Sequence, residues 1–274
     1  MNAAPVALVA ALSFASFLPF CGGIDRPSID EVSSDSVTYQ TEDGVQIVAS
    51  WFRPPDEAKP PVVILLHEQD GTRAQWDPLI PILVKNEGYA VLAPDLRGHG
   101  ESDTIIREGK EEPYKFSNPQ DAMLDVLAAL TWLQGRSDVD LNRTGVIGAR
   151  LGADLAYVSS GTFAPVRAAV AITPDPFLPD NANYPLLATI PDFAAHDVFI
   201  MAGGRRQWEE AVTLGIRITF PEGRRYIDTP DLDGVALLAN DDMIKDTLEF
   251  FEQRVKSPLA TASPAPLATA SPAP

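Results

Sequence analysis

The sequence predicts an α/β protein in which a mostly parallel sheet of about eight strands lies between two layers of helices. Short apolar runs alternate with amphipathic stretches between Asp25 and Lys256. From residue 62 onward the runs are continuously apolar, as is typical of parallel strands that are covered on both faces. Because strands that alternate with helices form right-handed crossovers, the predicted fold class is a three-layer α/β/α domain. In such a domain, ligands bind at the carboxyl ends of the strands.

Eight stretches have the composition of strands, and the first two are separated by the turn sequence Asp43-Gly44. These two alternate in polarity, which indicates a half-exposed antiparallel hairpin. The predicted strands are 36–40, 45–52, 62–66, 89–93, 144–148, 166–172, 197–202 and 216–220.

Apolar residues at helical spacing occur in five stretches between and after these strands. The predicted helices are 75–86, 120–134, 151–160, 208–214 and 235–255. The charged stretch 107–116 is predicted to be a surface loop at the mouth of the site. The acidic stretch 241–246 fits the solvated face of the last helix better than a calcium site.

The length and composition support one domain and exclude one class of partner. The chain has 274 residues, 45% of them hydrophobic, enough for a single core over 25–256. Its net charge of −17 repels phosphate backbones, so nucleic acid is not an expected partner. A small molecule or a protein is expected instead. No zinc-type cluster of Cys and His and no nucleotide-binding glycine motif is present, so no cofactor or metal is expected.

The first 24 residues carry no charged side chain, and residues 3–20 are almost continuously apolar, as in a secretory signal. The only cysteine, Cys21, lies in "LPFCGG", which resembles a bacterial lipoprotein signal and implies that Cys21 is acylated. An uncleaved apolar anchor and a signal cleaved elsewhere are the alternatives. The expected location is periplasmic or at the cell surface, with the N-terminus as the candidate membrane anchor.

The last 18 residues, 257–274, contain "LATASPAP" twice in tandem. This tail has no aromatic residue after residue 256 and is rich in proline, alanine, serine and threonine, so it is expected to be disordered. A spacer or a glycosylated cell-surface tail is the favoured interpretation, and a binding role is the alternative.

Three motifs follow successive predicted strands: "LLHEQDG" at 65–71, "APDLRGHGESD" at 93–103 and "GVIGARLGADLA" at 145–156. Their order and spacing resemble the α/β-hydrolase superfamily over about residues 36–256. The run 125–156 looks most like the dienelactone-hydrolase and small-esterase branch. The resemblance implies that the third motif is a nucleophile elbow, in which Gly148 and Gly152 flank the tip residue.

The same resemblance implies an oxyanion hole around His67, Glu68 and Leu151, and a triad whose positions fall on Arg150, Arg205 and Asp233. Arg150 occupies the tip, and a permanently protonated guanidinium cannot be a nucleophile. Asp233 stands where the histidine is expected, and no histidine follows residue 196. No catalytic residue is therefore assigned.

These replacements are complementary in charge. We expect Arg150, with Arg205 or Arg206, to pair with Asp233 and Glu68 across the cleft, because a partly buried arginine needs a partner. The alternative is that Arg150 extends into solvent. The sequence favours a catalytically inactive homologue that acts as a binding or scaffold protein. A hydrolase of esters or lactones with a non-standard site is the alternative.

Overall fold

A computed structural model describes residues 23–174, 197–203, 224–226 and 232–257 of the chain, with the backbone alone at 224–226. Within these ranges ten strands form one sheet, slightly more than the predicted eight. The strands are β1 (Ser34–Gln40), β2 (Val45–Phe52), β3 (Pro61–Leu66), β4 (Ala90–Pro94), β5 (Thr104–Arg107), β6 (Lys110–Pro113), β7 (Asp140–Ala149), β8 (Val166–Ile172), β9 (Val198–Ala202) and β10 (Arg224–Tyr226).

The sheet is mostly parallel, as predicted. Its order is β10-β9-β8-β7-β3-β4-β2-β5-β6, with β1 paired to β2. All neighbours from β10 to β4 are parallel, whereas β1, β2, β5 and β6 pair in antiparallel fashion. The strands β3, β4, β7, β8 and β9 are buried along most of their length because helices cover both faces.

Helices cover the two faces of the sheet, which confirms the three-layer prediction. The helices α1 (Ala122–Gln134) and α2 (Leu151–Thr162) pack on one face. The helix α3 (Asp241–Phe251) and the segment 76–84 pack on the other face. On that second face the ring of Phe251 lies so close to Gly145 of β7 that a Cβ there would come within 2.7 Å of it.

The helix predicted over 75–86 is wrong as a single regular element. It is replaced by a 3-10 turn, Arg73–Trp76, and a π-helical turn, Ile82–Asn86. Pro78 and Pro81 explain the difference, since proline lacks the N–H that a continuous α-helix needs.

The helix predicted over 235–255 is also divided. A 3-10 helix covers Gly234–Ala239, α3 follows, and a π-helical turn covers Glu252–Lys256. Asn240 separates the first two elements because its backbone is extended and its side chain accepts a hydrogen bond from the Asp242 N–H at 2.9 Å. This is N-capping, which starts a new helix at Asp241.

The surface loop predicted over 107–116 is wrong, because these residues belong in part to the hairpin of β5 and β6. Glu108 and Gly109 form its turn with φ values of 50° and 75°, the left-handed backbone of a tight hairpin. The strand predicted at 216–220 and the helix predicted at 208–214 lie outside the described residues. No helix in the described part of the chain has the length and apolar character to cross a bilayer.

Candidate functional site

The turn between β7 and α2 has the backbone conformation of an elbow. Its tip residue, Arg150, has φ 52° and ψ −115°, a region that non-glycine residues rarely adopt. The Arg150 N–H donates to the Ile172 carbonyl at 3.0 Å, and its carbonyl accepts from the Ala153 N–H at 2.9 Å. The chain therefore keeps a strained tip although an arginine occupies it.

The two flanking glycines allow close backbone contacts. A Cβ on Gly148 would come within 1.9 Å of the Gly152 carbonyl oxygen. A Cβ on Gly152 would come within 2.0 Å of the Leu66 carbonyl oxygen at the end of β3. These positions require glycine for the packing of β7, α2 and β3, whatever the tip residue is.

The predicted ion pair between Arg150 and Asp233 is present. Nη2 of Arg150 donates directly to Oδ2 of Asp233. The two side chains are 35% and 30% exposed, so the pair lies at the surface of the cleft and is not sealed in the core. The two positions that the resemblance assigns to nucleophile and base thus hold a guanidinium and a carboxylate that neutralise each other.

Glu68 takes a role different from the expected one. Its Oε1 accepts a hydrogen bond from the Val235 backbone N–H at 2.8 Å, and it has no ion pair among the described residues. Thr173, at the end of β8, accepts from the Gly234 N–H at 3.1 Å. Glu68 and Thr173 therefore fix the segment that carries Asp233.

Sequence reasoning did not identify Thr173 as part of this site. Thr173 directly follows β8, at the edge of the sheet where α/β proteins place their site residues. That position was the available signal, but a single threonine after a strand is too common to be informative.

His67 is fully buried, and both ring nitrogens have partners. Nδ1 lies 2.6 Å from the Glu68 carbonyl oxygen, and Nε2 accepts from the Leu96 N–H at 2.8 Å. These partners place the proton on Nδ1, which donates to the carbonyl. Burial lowers the pKa of His67 from its ordinary 6.5 to about 4, although the hydrogen bond to Glu68 opposes this shift. His67 is a structural residue that remains neutral at physiological pH.

His99 is also held by structural contacts. Its Nδ1 lies 3.0 Å from the Arg97 carbonyl oxygen, and its ring packs against those of His67 and Phe116. In the described part of the chain, neither His67 nor His99 forms a hydrogen bond with a hydroxyl or a carboxylate. His196, Arg205, Arg206 and Cys21 lie outside the described residues.

The second motif forms a braced turn. The carboxylate of Asp95 accepts from the N–H groups of Arg73 and Glu101 at 2.8 and 2.9 Å. Arg97 is fully buried, and its Nε donates to Asp125 at 2.8 Å. These carboxylates are occupied by structural bonds, so neither is available as a base or a nucleophile.

Taken together, the parallel sheet, the elbow after β7 and the loop after β3 define a protein of the α/β-hydrolase fold. The dienelactone hydrolase family matches residues 47–218. The chain belongs to this family.

Solved structures agree with the fold. The Pyrococcus furiosus esterase Pf2001 is 20% identical, with a TM-score of 0.63 over 82% of this chain and 94% of the esterase. The dienelactone hydrolase of Anabaena variabilis is 15% identical, with a TM-score of 0.57 over 82% of this chain and 99% of its own. At these identities the likeness shows the fold alone.

The relatives found by sequence show how much of this chain is shared with other proteins, but they do not show its activity. The uncharacterised protein Rv2307c of Mycobacterium tuberculosis is 28% identical over 231 residues, which cover 78% of this chain and 77% of the relative. The α/β-hydrolase domain-containing protein WAV2 of Arabidopsis thaliana is 28% identical over 118 residues, 43% of this chain and 35% of its own.

Proposed function

We propose that this chain is a non-hydrolysing member of the dienelactone hydrolase family that acts as a binding or scaffold protein. The observation that carries the proposal is the ion pair between Arg150 and Asp233. Acyl transfer on this fold requires a nucleophile at the elbow and a histidine that takes its proton. The guanidinium of Arg150 cannot act as a nucleophile. The carboxylate of Asp233 stands in place of the histidine and is engaged by Arg150 in the ion pair.

The neighbouring groups support the same proposal. His67 cannot accept a proton from a nucleophile, because its two nitrogens bond the backbone at Glu68 and Leu96. The carboxylate of Glu68 lies beside the loop after β3, where negative charge would oppose a developing oxyanion. Loss of a nucleophile or its base lowers turnover by about 10⁶ in a serine hydrolase.

A hydrolase of esters or lactones is the second candidate. Membership of the family and the likeness to an esterase and a dienelactone hydrolase favour it. It would need a nucleophile and a proton acceptor other than Arg150 and Asp233. Hydrolysis of p-nitrophenyl butyrate by the purified chain separates the two candidates.

The apolar segment before Asp25 supports the further proposal that the protein is exported and anchored through Cys21. Fractionation of cells that express the full chain tests this. Recovery in the cytoplasm would contradict it.

The experiment measures hydrolysis of p-nitrophenyl butyrate by the purified chain. We expect a rate no higher than that of a heat-inactivated sample. The double variant Arg150→Ser/Asp233→His, purified in the same way, restores the missing groups and serves as the comparison. Turnover by the unaltered chain, retained in Arg150→Ala, would overturn the proposal and establish a non-standard hydrolytic site.

A further inference from the structure

The strand β1 lies at an edge of the sheet, where it pairs with β2 alone among the described strands. The Thr41 N–H donates to the Val45 carbonyl at 2.9 Å, so this pair fixes which main-chain groups of β1 face β2. Because facing alternates along an antiparallel ladder, the odd-numbered residues of β1 face β2 and the even-numbered residues face away from it. The outward-facing residues are Ser34, Ser36, Thr38 and Gln40.

These four residues are exposed, and their main-chain N–H and C=O groups have no hydrogen-bond partner within the described ranges. Natural edge strands avoid unwanted pairing by being short, by carrying charged residues or proline, or by bulges. The strand β6, also at an edge, has such features, since it consists of four exposed residues, three of them charged, and ends at Pro113. In contrast, β1 has seven residues, a single charge at Asp35, no proline and an unbroken register with β2. The edge of β1 is therefore open to a further strand.

The sequence of β1 is complementary to itself about Val37. Ser36 faces Thr38 of a second copy when two copies of β1 pair in antiparallel fashion with Val37 on the two-fold axis. In the same register Ser34 faces Gln40. These outward-facing residues would exchange about eight main-chain hydrogen bonds, two for each of four pairs. Serine and threonine hydroxyls in facing positions also form favourable cross-strand pairs.

The other face of β1 fits this register as well. Val37 packs against the core on the α1 face, and it would meet Val37 of the second copy in a close, non-hydrogen-bonded pair. Asp35 would face Tyr39 and not a second carboxylate. The two Asp35 residues would be about 14 Å apart, which is more than one Debye length in physiological salt. The strand pair therefore brings no like charges into contact, although the chain carries a net charge of −17.

We propose that β1 is a dimer interface, through which two copies of this chain pair in antiparallel register about Val37. The two sheets then form one sheet that is continuous across the two-fold axis. Such an interface uses the same surface of both copies, so it closes and leaves no edge of β1 open. The inference goes beyond the proposed function and does not depend on whether the chain hydrolyses esters.

Disulfide cross-linking tests the register. All cysteine variants carry Cys21→Ser, because Cys21 is the only cysteine of the chain. In the proposed dimer the two Val37 Cα atoms are about 4.5 Å apart, so Val37→Cys can form a disulfide across the axis. Thr38→Cys is the matched control, since the two Thr38 Cα atoms would be about 8 Å apart, too far for a disulfide. Under mild oxidation we expect at least about fivefold more covalent dimer from Val37→Cys.

A second variant tests the main-chain hydrogen bonds. Thr38→Pro removes an outward-facing N–H from each copy without removing a donor from the ladder between β1 and β2. Sedimentation equilibrium of the full chain is expected to show a dimer, and Thr38→Pro is expected to weaken the association more than about tenfold. Thr38→Val keeps the N–H and should keep the dimer. Circular dichroism shows whether Thr38→Pro is folded, and cross-linking decides the question if it is not.

Three results would overturn the dimer proposal. The first is a monomer at every concentration up to the solubility of the chain, which would leave the edge of β1 to an extended segment of another protein. The second is equal cross-linking of Val37→Cys and Thr38→Cys, as expected if the apolar residues 3–20 bring copies together without a fixed register. The third is unchanged association in a folded Thr38→Pro.

Discussion

Arg150 shows how a strained bend accommodates a long charged side chain. The backbone of Arg150 is fixed by bonds to Ile172 and Ala153, which do not involve its side chain. The guanidinium reaches the carboxylate of Asp233, and each of the two side chains is about one-third exposed. The bend is therefore determined by backbone packing, and the side chain at its tip is free to change the chemistry of the cleft.

Because the Arg150–Asp233 pair is partly exposed, we expect a small coupling between the two charges. A double-mutant cycle with Arg150→Leu and Asp233→Asn should give a coupling free energy of about 1 kcal/mol or less. Urea unfolding of the four proteins measures it. The pair Arg26–Asp241, with side-chain exposures of 33% and 38%, is a matched control and should give a similar value.

Coupling above about 3 kcal/mol would mean that the pair is desolvated, in contrast to the exposure seen here. A coupling close to zero stays within the expectation, because many exposed ion pairs contribute nothing measurable to stability.

At the scale of elements, the segment 232–239 is held against the sheet edge by hydrogen bonds from its backbone N–H groups to two side chains. Glu68 and Thr173 accept from two consecutive N–H groups, those of Val235 and Gly234. Gly234 makes this possible because its φ of 54° is left-handed and its missing Cβ leaves room for the Glu68 carboxylate, 1.9 Å from where a Cβ would be. The position of the segment 232–239 at the sheet edge thus depends on Gly234 and Glu68 together.

We therefore expect Gly234→Ala and Glu68→Ala to be non-additive. In the unaltered chain, Gly234→Ala costs about 1 kcal/mol for the backbone conformation and about 1.5 kcal/mol for displacing Glu68 from Val235. In a Glu68→Ala background only the first cost remains. Thermal unfolding of the two single variants and the double variant measures the difference.

Glu68→Gln is the control for this cycle, because its amide oxygen can still accept from Val235, and it should lose less stability than Glu68→Ala. Strictly additive losses would show that Gly234 and Glu68 do not share the contact.

At the scale of the whole molecule, the sequence predicted the three layers and the edge of the sheet where the site lies. It could do so because the motifs contain the residues that the backbone conformation requires. Gly148, Gly152 and the apolar run of β7 specify the elbow independently of its tip. The Arg150–Asp233 pair followed from charge complementarity at positions that the fold brings together. Both inferences rested on the resemblance to the α/β-hydrolase superfamily, which assigns the elbow tip and the histidine to these positions.

Other features could not be predicted because they depend on three-dimensional contacts between distant residues. The bond from Glu68 to Val235 joins residues 167 positions apart, and nothing local distinguishes it from an ion pair with arginine. The charged stretch 107–116 favoured a loop, yet Lys110–Pro113 form the strand β6, which pairs in antiparallel fashion with β5.

The neutral, buried His67 makes the stability of the whole domain depend on pH. Burial lowers the pKa of His67 to about 4, against 6.5 in the unfolded chain. Between these values the unfolded chain binds a proton that the folded protein does not bind, so this contribution to stability is complete above pH 6.5 and is lost as the pH falls toward 4. One proton corresponds to about 1.4 kcal/mol per pH unit.

We predict that the free energy of unfolding falls by about 2 kcal/mol more in the unaltered chain than in His67→Gln when the pH is lowered from 6.5 to 4.5. Urea unfolding at several pH values in this range measures both slopes. Titration of the carboxylates and relief of the −17 net charge affect both proteins alike, so the difference isolates His67. Parallel profiles would show that His67 takes up its proton in the folded state, in conflict with the bond that the Leu96 N–H donates to Nε2.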